Sequence, residues 1–159
     1  MLELEKIKSE IFSGKPLEEV LEGIDWREFE NFVSEIFSKN DYSVKRNFRF
    51  KTSRRYEIDL IASRRNLTFC VDCKNWRGGR NKKSGIILAI EKQYLRVQEL
   101  LKFIRKNLIA KKILTFEERP KVLPLIVTLL QEDVLEENGV FVVPVWKLNS
   151  FLLEVENFV

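Results

Sequence analysis

The chain has no histidine, two cysteines, one methionine, four prolines and six glycines among its 159 residues. Each shortage removes a class of chemistry. Without histidine there is no Ser-His-Asp triad, no Cys-His pair and no His-metal cluster. Any catalysis falls to carboxylates, lysine, tyrosine or a hard cation. Cys70 and Cys73 have CxxC spacing, but neither a second Cys pair nor a histidine exists to complete a zinc site. On a strand, positions i and i+3 also face opposite sides, so the two thiols are expected to be reduced core residues. No apolar run approaches the roughly 20 residues of a membrane span. The start, Met1-Leu2-Glu3-Leu4-Glu5-Lys6, is charged and lacks the apolar stretch of a signal peptide. An intracellular, cytoplasmic protein is expected.

What is present fits one globular domain. A hydrophobic fraction of 45% supports a core. Abundant Lys, Arg and Glu with little Met or Cys would suit a thermophile. The net charge of +4 is unevenly placed. Between Lys45 and Lys83 there are thirteen Lys and Arg against three Asp and Glu, and the remainder is net acidic. A basic middle between acidic ends points to a polyanion bound at one face. The three acids inside it are Glu57, Asp59 and Asp72.

Hydrophobic periodicity and punctuation give the element order. Leu2 to Phe12 reads as a short amphipathic helix ended by Gly14 and Pro16, and a second turn starts at Pro16. Asp25 reads as an N-cap with Glu28 closing a capping box, opening a helix from Trp26 to about Lys39. Three strands follow, Ser43–Phe50, Tyr56–Ser63 and Leu67–Asn75, joined by turns short enough for an antiparallel meander. After a Gly- and Arg-rich loop, a helix is expected from about Gly85 to Ala110, with Ile90, Tyr94, Val97, Leu101, Ile104 and Leu108 as its buried seam. Val122–Leu130 reads as a central strand covered on both faces, Phe141–Val145 as another, and Leu148–Phe158 as a closing helix. The expected fold is α/β, with residues 1–24 as a helical extension and 25–159 as one unit.

Asp59 and, after twelve intervening residues, Asp72-Cys73-Lys74 carry the chemistry. Each half lies in an apolar strand, where a charge is costly unless it is paired or holds a metal. Alternation places Cys70, Asp72 and Lys74 on one face of their strand, with Phe69, Val71 and Cys73 on the other. It likewise groups Glu57, Asp59 and Ile61. If the two strands pair as a hairpin, Asp59 and Asp72 converge. Adjacent carboxylates raise each other's pKa unless a cation lies between them. Mg²⁺ prefers oxygen ligands and could polarise a phosphate there, with Lys74 orienting water or offsetting charge on the phosphate. The plainer alternative is a salt-bridged strand pair, because D-x-K alone is common.

These residues resemble the PD-(D/E)xK nuclease superfamily, the restriction-endonuclease-like fold, with Mrr-like restriction endonucleases, archaeal Holliday-junction resolvases and RecB-like nucleases as the nearest branches. Phe29-Glu30 followed by Asp41-Tyr42-Ser43-Val44 is similar to the Mrr-type helix and strand entry, and Cys73-Lys74-Asn75-Trp76 to the Mrr-like "CK-x-W" ending. The resemblance implies a three-layer core: a mixed sheet, made of the meander and two further strands, flanked by helices. It implies Glu30, Asp59, Asp72 and the Cys73 carbonyl as ligands of Mg²⁺ or Mn²⁺, Lys74 as the group that assists the attacking water, and Gln93 as the extra helix glutamine of RecB-like members. Ile58 replaces the proline of the family name, and Asp41 replaces the usual glycine at the helix end.

The expected activity is metal-dependent endonucleolytic cleavage of DNA, structure-specific or weakly sequence-specific, since no recognition domain is visible. Arg54, Arg55, Arg64, Arg65, Arg77, Arg80, Lys82 and Lys83 are the candidate backbone contacts. A solvated basic surface is the bland alternative. The rivals are a non-catalytic nucleic-acid-binding module of the same fold and a subunit that cuts only with a partner. The acidic helical ends could supply a homodimer surface.

Overall fold

The computed structural model describes residues 6, 9–10, 13–16, 19–20, 23–74, 82–114, 121–129 and 134–157; the side chains of 82–84 and 156 fall outside that description. The expected helix over Leu2–Phe12, the Trp76–Lys83 loop contacts and Leu130 therefore lie, in whole or in part, outside the described residues.

Helix α1, Trp26–Lys39, starts as its sequence dictates. The Asp25 side chain accepts from the Glu28 N–H at 2.8 Å, and the Glu28 carboxylate accepts from the Asp25 N–H at 3.3 Å. At its end the N–H of Asp41 reaches the Ser38 carbonyl and that of Tyr42 the Phe37 carbonyl. This is a Schellman closure that puts Asp41 in the left-handed region, at φ 66°. The position is one that glycine adopts without a Cβ penalty.

The meander follows as β1, Ser43–Lys51, β2, Arg55–Arg64, and β3, Leu67–Lys74. Helix α2, Lys82–Lys106, and the short α3, Leu108–Ile113, lead to β4, Lys121–Thr128. Then come β5, Leu135–Glu137, β6, Val140–Pro144, and α4, Val145–Glu154. The six strands are ordered β1-β2-β3-β4-β6-β5. β1, β2 and β3 pair antiparallel; β4 joins β3, and β6 joins β4, in parallel. β3 and β4 are the buried centre, as their apolar runs require.

One face of the sheet packs Leu60, Ala62, Phe69 and Val71 against Phe29, Phe37 and Val33 of α1 and Leu148 of α4. The other packs Ile58, Ile61 and Cys70 against Val97, Leu100 and Ile104 of α2, while Ile86 and Ile90 cover β4 and β6. The result is the three-layer α/β architecture of the restriction-endonuclease-like fold.

Four expectations need correction. Tyr94 and Leu108 are exposed and do not belong to the α2 seam; Ile86, Ala89, Gln93 and Leu100 are buried instead. The helix does not run unbroken to Ala110, because the Asn107 side chain accepts from the Ala110 N–H and caps α3. A sixth strand, β5, sits at the edge. The last strand ends at Pro144 and the closing helix begins at Val145, earlier than hydropathy indicates.

Candidate active site

The site forms where the β2–β3 ladder stops. Pairing runs from Arg64↔Leu67 to Leu60↔Val71 and goes no further. The next rung would have set Asp59 opposite Asp72. Instead, the Asp59 carboxylate accepts the Cys73 backbone N–H at 2.9 Å. A side chain thus satisfies a strand donor that has lost its neighbouring strand.

Strict alternation also fails here. Ile58 and Ile61 both enter the core beneath α2, whereas Leu60 and Ala62 enter the core beneath α1. The irregularity is centred on Asp59, across from Asn47, whose φ of 53° is left-handed. The grouping of Glu57, Asp59 and Ile61 on one regular face is therefore corrected. The parity of β3 holds, with Cys70 in one core and Phe69, Val71 and Cys73 in the other.

Asp72 is buried. Its Oδ2 lies 3.2 Å from Lys74 Nζ, and its Oδ1 lies 3.6 Å from Arg96 Nη1 of α2. The Lys74 contact is an ion pair; among the described residues no hydrogen-bond donor is directed at Oδ2. Asp59 has its pKa raised to about 6, chiefly by burial; the Cys73 N–H lowers it and the charge of Asp72 raises it. Glu30 projects from α1, its pKa raised to about 7 by burial and then by Asp59. Its Oε2 is 3.6 Å from Arg46 Nη2 of β1, and Arg46 also bonds the Asn31 side chain. Burial and the surrounding acids push the Cys73 thiol well above its ordinary range, and burial pushes Cys70 to about 12. Both thiols stay protonated and are poor nucleophiles.

Gln93 is fully buried. Its Nε2 donates to the Cys70 carbonyl at 2.8 Å and lies 3.4 Å from the Leu125 carbonyl, and its Oε1 accepts from Arg96 Nη1 at 2.7 Å. It pins α2 to β3 and β4 and presents Arg96 to Asp72. Arg96 was missed in the sequence. The available signal was its place three residues after Gln93, on the same helix face.

Asp59, Asp72 and Lys74 therefore meet, with Glu30 bordering them from the opposite layer and Gln93 reaching them through Arg96. Among the described residues, no three His, Cys, Asp or Glu side chains are grouped tightly enough, as placed, to ligate one ion. Even so, a pair of carboxylates with one buried, donor-free oxygen suits a hard cation.

The basic candidates separate. Arg54 lies over the Tyr56 ring at 4.9 Å, and Arg55 is exposed at the β1–β2 tip. Arg64 donates to the Asn40 carbonyl and lies 5.9 Å from the Tyr42 ring centroid, and Arg65 occupies the turn at the other end of β2. Arg77 and Arg80, and the side chains of Lys82 and Lys83, lie outside the described residues.

The sheet order and the helical layers are those of the restriction-endonuclease-like fold. Residues 21–91, a little under half of the chain, match the family model Mrr_cat, restriction endonuclease. The match includes Glu30, Asp59, Asp72 and Lys74 and stops short of Gln93 and Arg96. An uncharacterized protein of Archaeoglobus fulgidus is 29% identical over 128 residues, covering 80% of this chain and 88% of its own. A crystal structure of a protein of unknown function superposes with a TM-score of 0.48 at 17% identity. That overlap covers 80% of this chain and 65% of the crystallised one, just under two thirds of its length. Among the described residues no helix is long and apolar enough to cross a membrane.

Proposed function

We propose that the chain is a metal-dependent endonuclease that hydrolyses DNA phosphodiester bonds, with structure-specific or weak sequence preference. The observation that carries this reading is the meeting of Asp59, Asp72 and Lys74 at the end of the β2–β3 ladder. Two partly buried carboxylates side by side destabilise the metal-free fold, and a structural ion pair needs only one of them.

Asp59, Asp72 and the Cys73 carbonyl would hold Mg²⁺ or Mn²⁺. Glu30, bordering them from α1, would add a third carboxylate beside that ion. The ion, when bound, neutralises and polarises the phosphate. Lys74 orients the attacking water and offsets charge that develops on phosphorus-bound oxygens. The water oxygen bonds to phosphorus, one ester P–O bond breaks, and the departing oxygen takes up a proton. Arg96 is a positioning residue: held by Gln93, it fixes the rotamer of Asp72. Residues 25–159 act as the nuclease unit, and residues 1–24 as an extension. The test is incubation of the protein with Mg²⁺ or Mn²⁺ and with duplex, single-stranded, flap and four-way-junction DNA, beside EDTA controls. Cleavage of at least one substrate, abolished by EDTA, is expected. Binding without cleavage of any would favour the non-catalytic module.

A further inference from the structure

The β1–β2 hairpin continues beyond the point where β3 leaves it. Lys51 still pairs with Arg55, four residues past Asp59. An isolated two-stranded ribbon is marginal in water, but this one is braced. Phe48 and Phe50 stack at 6.0 Å, Phe50 and Tyr56 at 5.4 Å, and Phe103 of α2 packs on both phenylalanines. The Thr52 hydroxyl also bonds Glu99 of α2 at 2.5 Å. The tip is therefore fixed against the C-terminal half of the helix.

A groove of about 510 Å³ lies between them, and Lys51, Ser53, Lys102 and Lys106 line it above Phe103. All three lysines are exposed. The single carboxylate there, Glu99, is already engaged by Thr52 and by Lys102 at 3.1 Å. Among the described residues neither Lys51 nor Lys106 has an acidic partner. Lys51 also lines the adjoining groove with Arg55; Arg49 and Glu57, which line it too, pair with each other at 2.7 Å, so Lys51 and Arg55 carry the positive charge around the tip. Like charges gathered on a rigid concave surface repel one another unless an anion is bound there.

We propose that the groove between the hairpin tip and α2 is a phosphodiester-backbone subsite, holding nucleic acid away from the bond that is cut. Lys51, Lys102 and Lys106 supply charge, and Ser53 a hydrogen bond. The inference rests on the nucleic-acid reading above and extends it to residues outside the carboxylate site. Four residues of strand from Asp59 to the level of Lys51 span about 13 Å. That is about four base pairs of duplex rise. The contact therefore falls on the flank of a bound duplex.

The experiment measures the affinity of a fluorescent 24-base-pair duplex in EDTA across a salt series. It compares the wild type, K51A/K102A/K106A, and the charge-matched variant K92A/K112A/K121A, with thermal melts confirming that each is folded. Each lost phosphate contact lowers the slope of log K against log salt by about 0.9. We expect the groove variant to lose about 2.7 units of slope and at least tenfold in affinity, and the control variant to lose less than half as much. Equal losses in the two variants, or none in the groove variant, would overturn the subsite while leaving the nuclease reading intact. A wild type that binds no nucleic acid would remove both. Retention of an acidic protein in place of DNA would identify a protein-docking groove and also overturn the proposal.

Discussion

The two halves of the β2–β3 hairpin are built from the same two strands and behave oppositely. From Leu60 to Arg64 the strands are fully laddered, and Leu60, Ala62, Phe69 and Val71 are sealed from water. One residue further the ladder ends, and Asp59, Asp72 and Lys74 fill the opening. The paired half supplies rigidity. The unpaired half holds charge in a place where only a cation or a cationic side chain can balance it. A costly feature is tolerated because the laddered half fixes its geometry.

The contrast can be broken from either side. Lys74→Ala removes the ammonium 3.2 Å from Asp72. It should lower cleavage roughly 10³-fold while leaving the melting temperature within a few degrees, as single-turnover rates and melts would show. Leu60→Ala in the paired half should do the reverse. It should cost about 3 kcal/mol of stability, read by urea denaturation, and the folded fraction should retain its turnover. Arg96→Ala frees Asp72 without removing it. A fall of about tenfold in cleavage, with a raised metal requirement, is expected; Gln93→Leu should reproduce it, since Gln93 holds Arg96.

The smallest effect is on pH dependence. Glu30 and Asp59 have raised pKa values in the folded chain, about 7 and about 6, so the folded state holds their protons more tightly than the unfolded state does. That stability is fully present below their ordinary carboxylate range and is lost as pH rises through the folded values. Without divalent ions, the melting temperature should fall between about pH 4 and about pH 7. Glu30→Gln should flatten part of that fall, and Mg²⁺ should raise the wild-type melting temperature most at the alkaline end. A melting temperature independent of pH and of Mg²⁺ would show that the opening is not strained by charge.

Much of this was readable in the chain, and what was not has identifiable causes. The capping box at Asp25 and Glu28 and the apolar runs of β3 and β4 are local signals, and the structure follows them. The spacing of Asp59 and Asp72 brought both to neighbouring strands, but no periodicity reports where a ladder stops. The splay depends on the left-handed Asn47 across the sheet and on a side chain replacing a backbone partner. Gln93 was singled out only through a resemblance. Its burial depends on two backbone carbonyls from other elements, which hydropathy cannot register, so Tyr94 beside it was misplaced in the core. β5 is three exposed residues at an edge, too short to leave a pattern.

Asp72→Ala removes the buried carboxylate of the site. With Mg²⁺ present, the variant should bind the same DNA as the wild type, within about threefold, and cut it at least roughly 10³ times more slowly. Cleavage at the wild-type rate by the purified variant would contradict the assignment of the site at the end of the β2–β3 ladder.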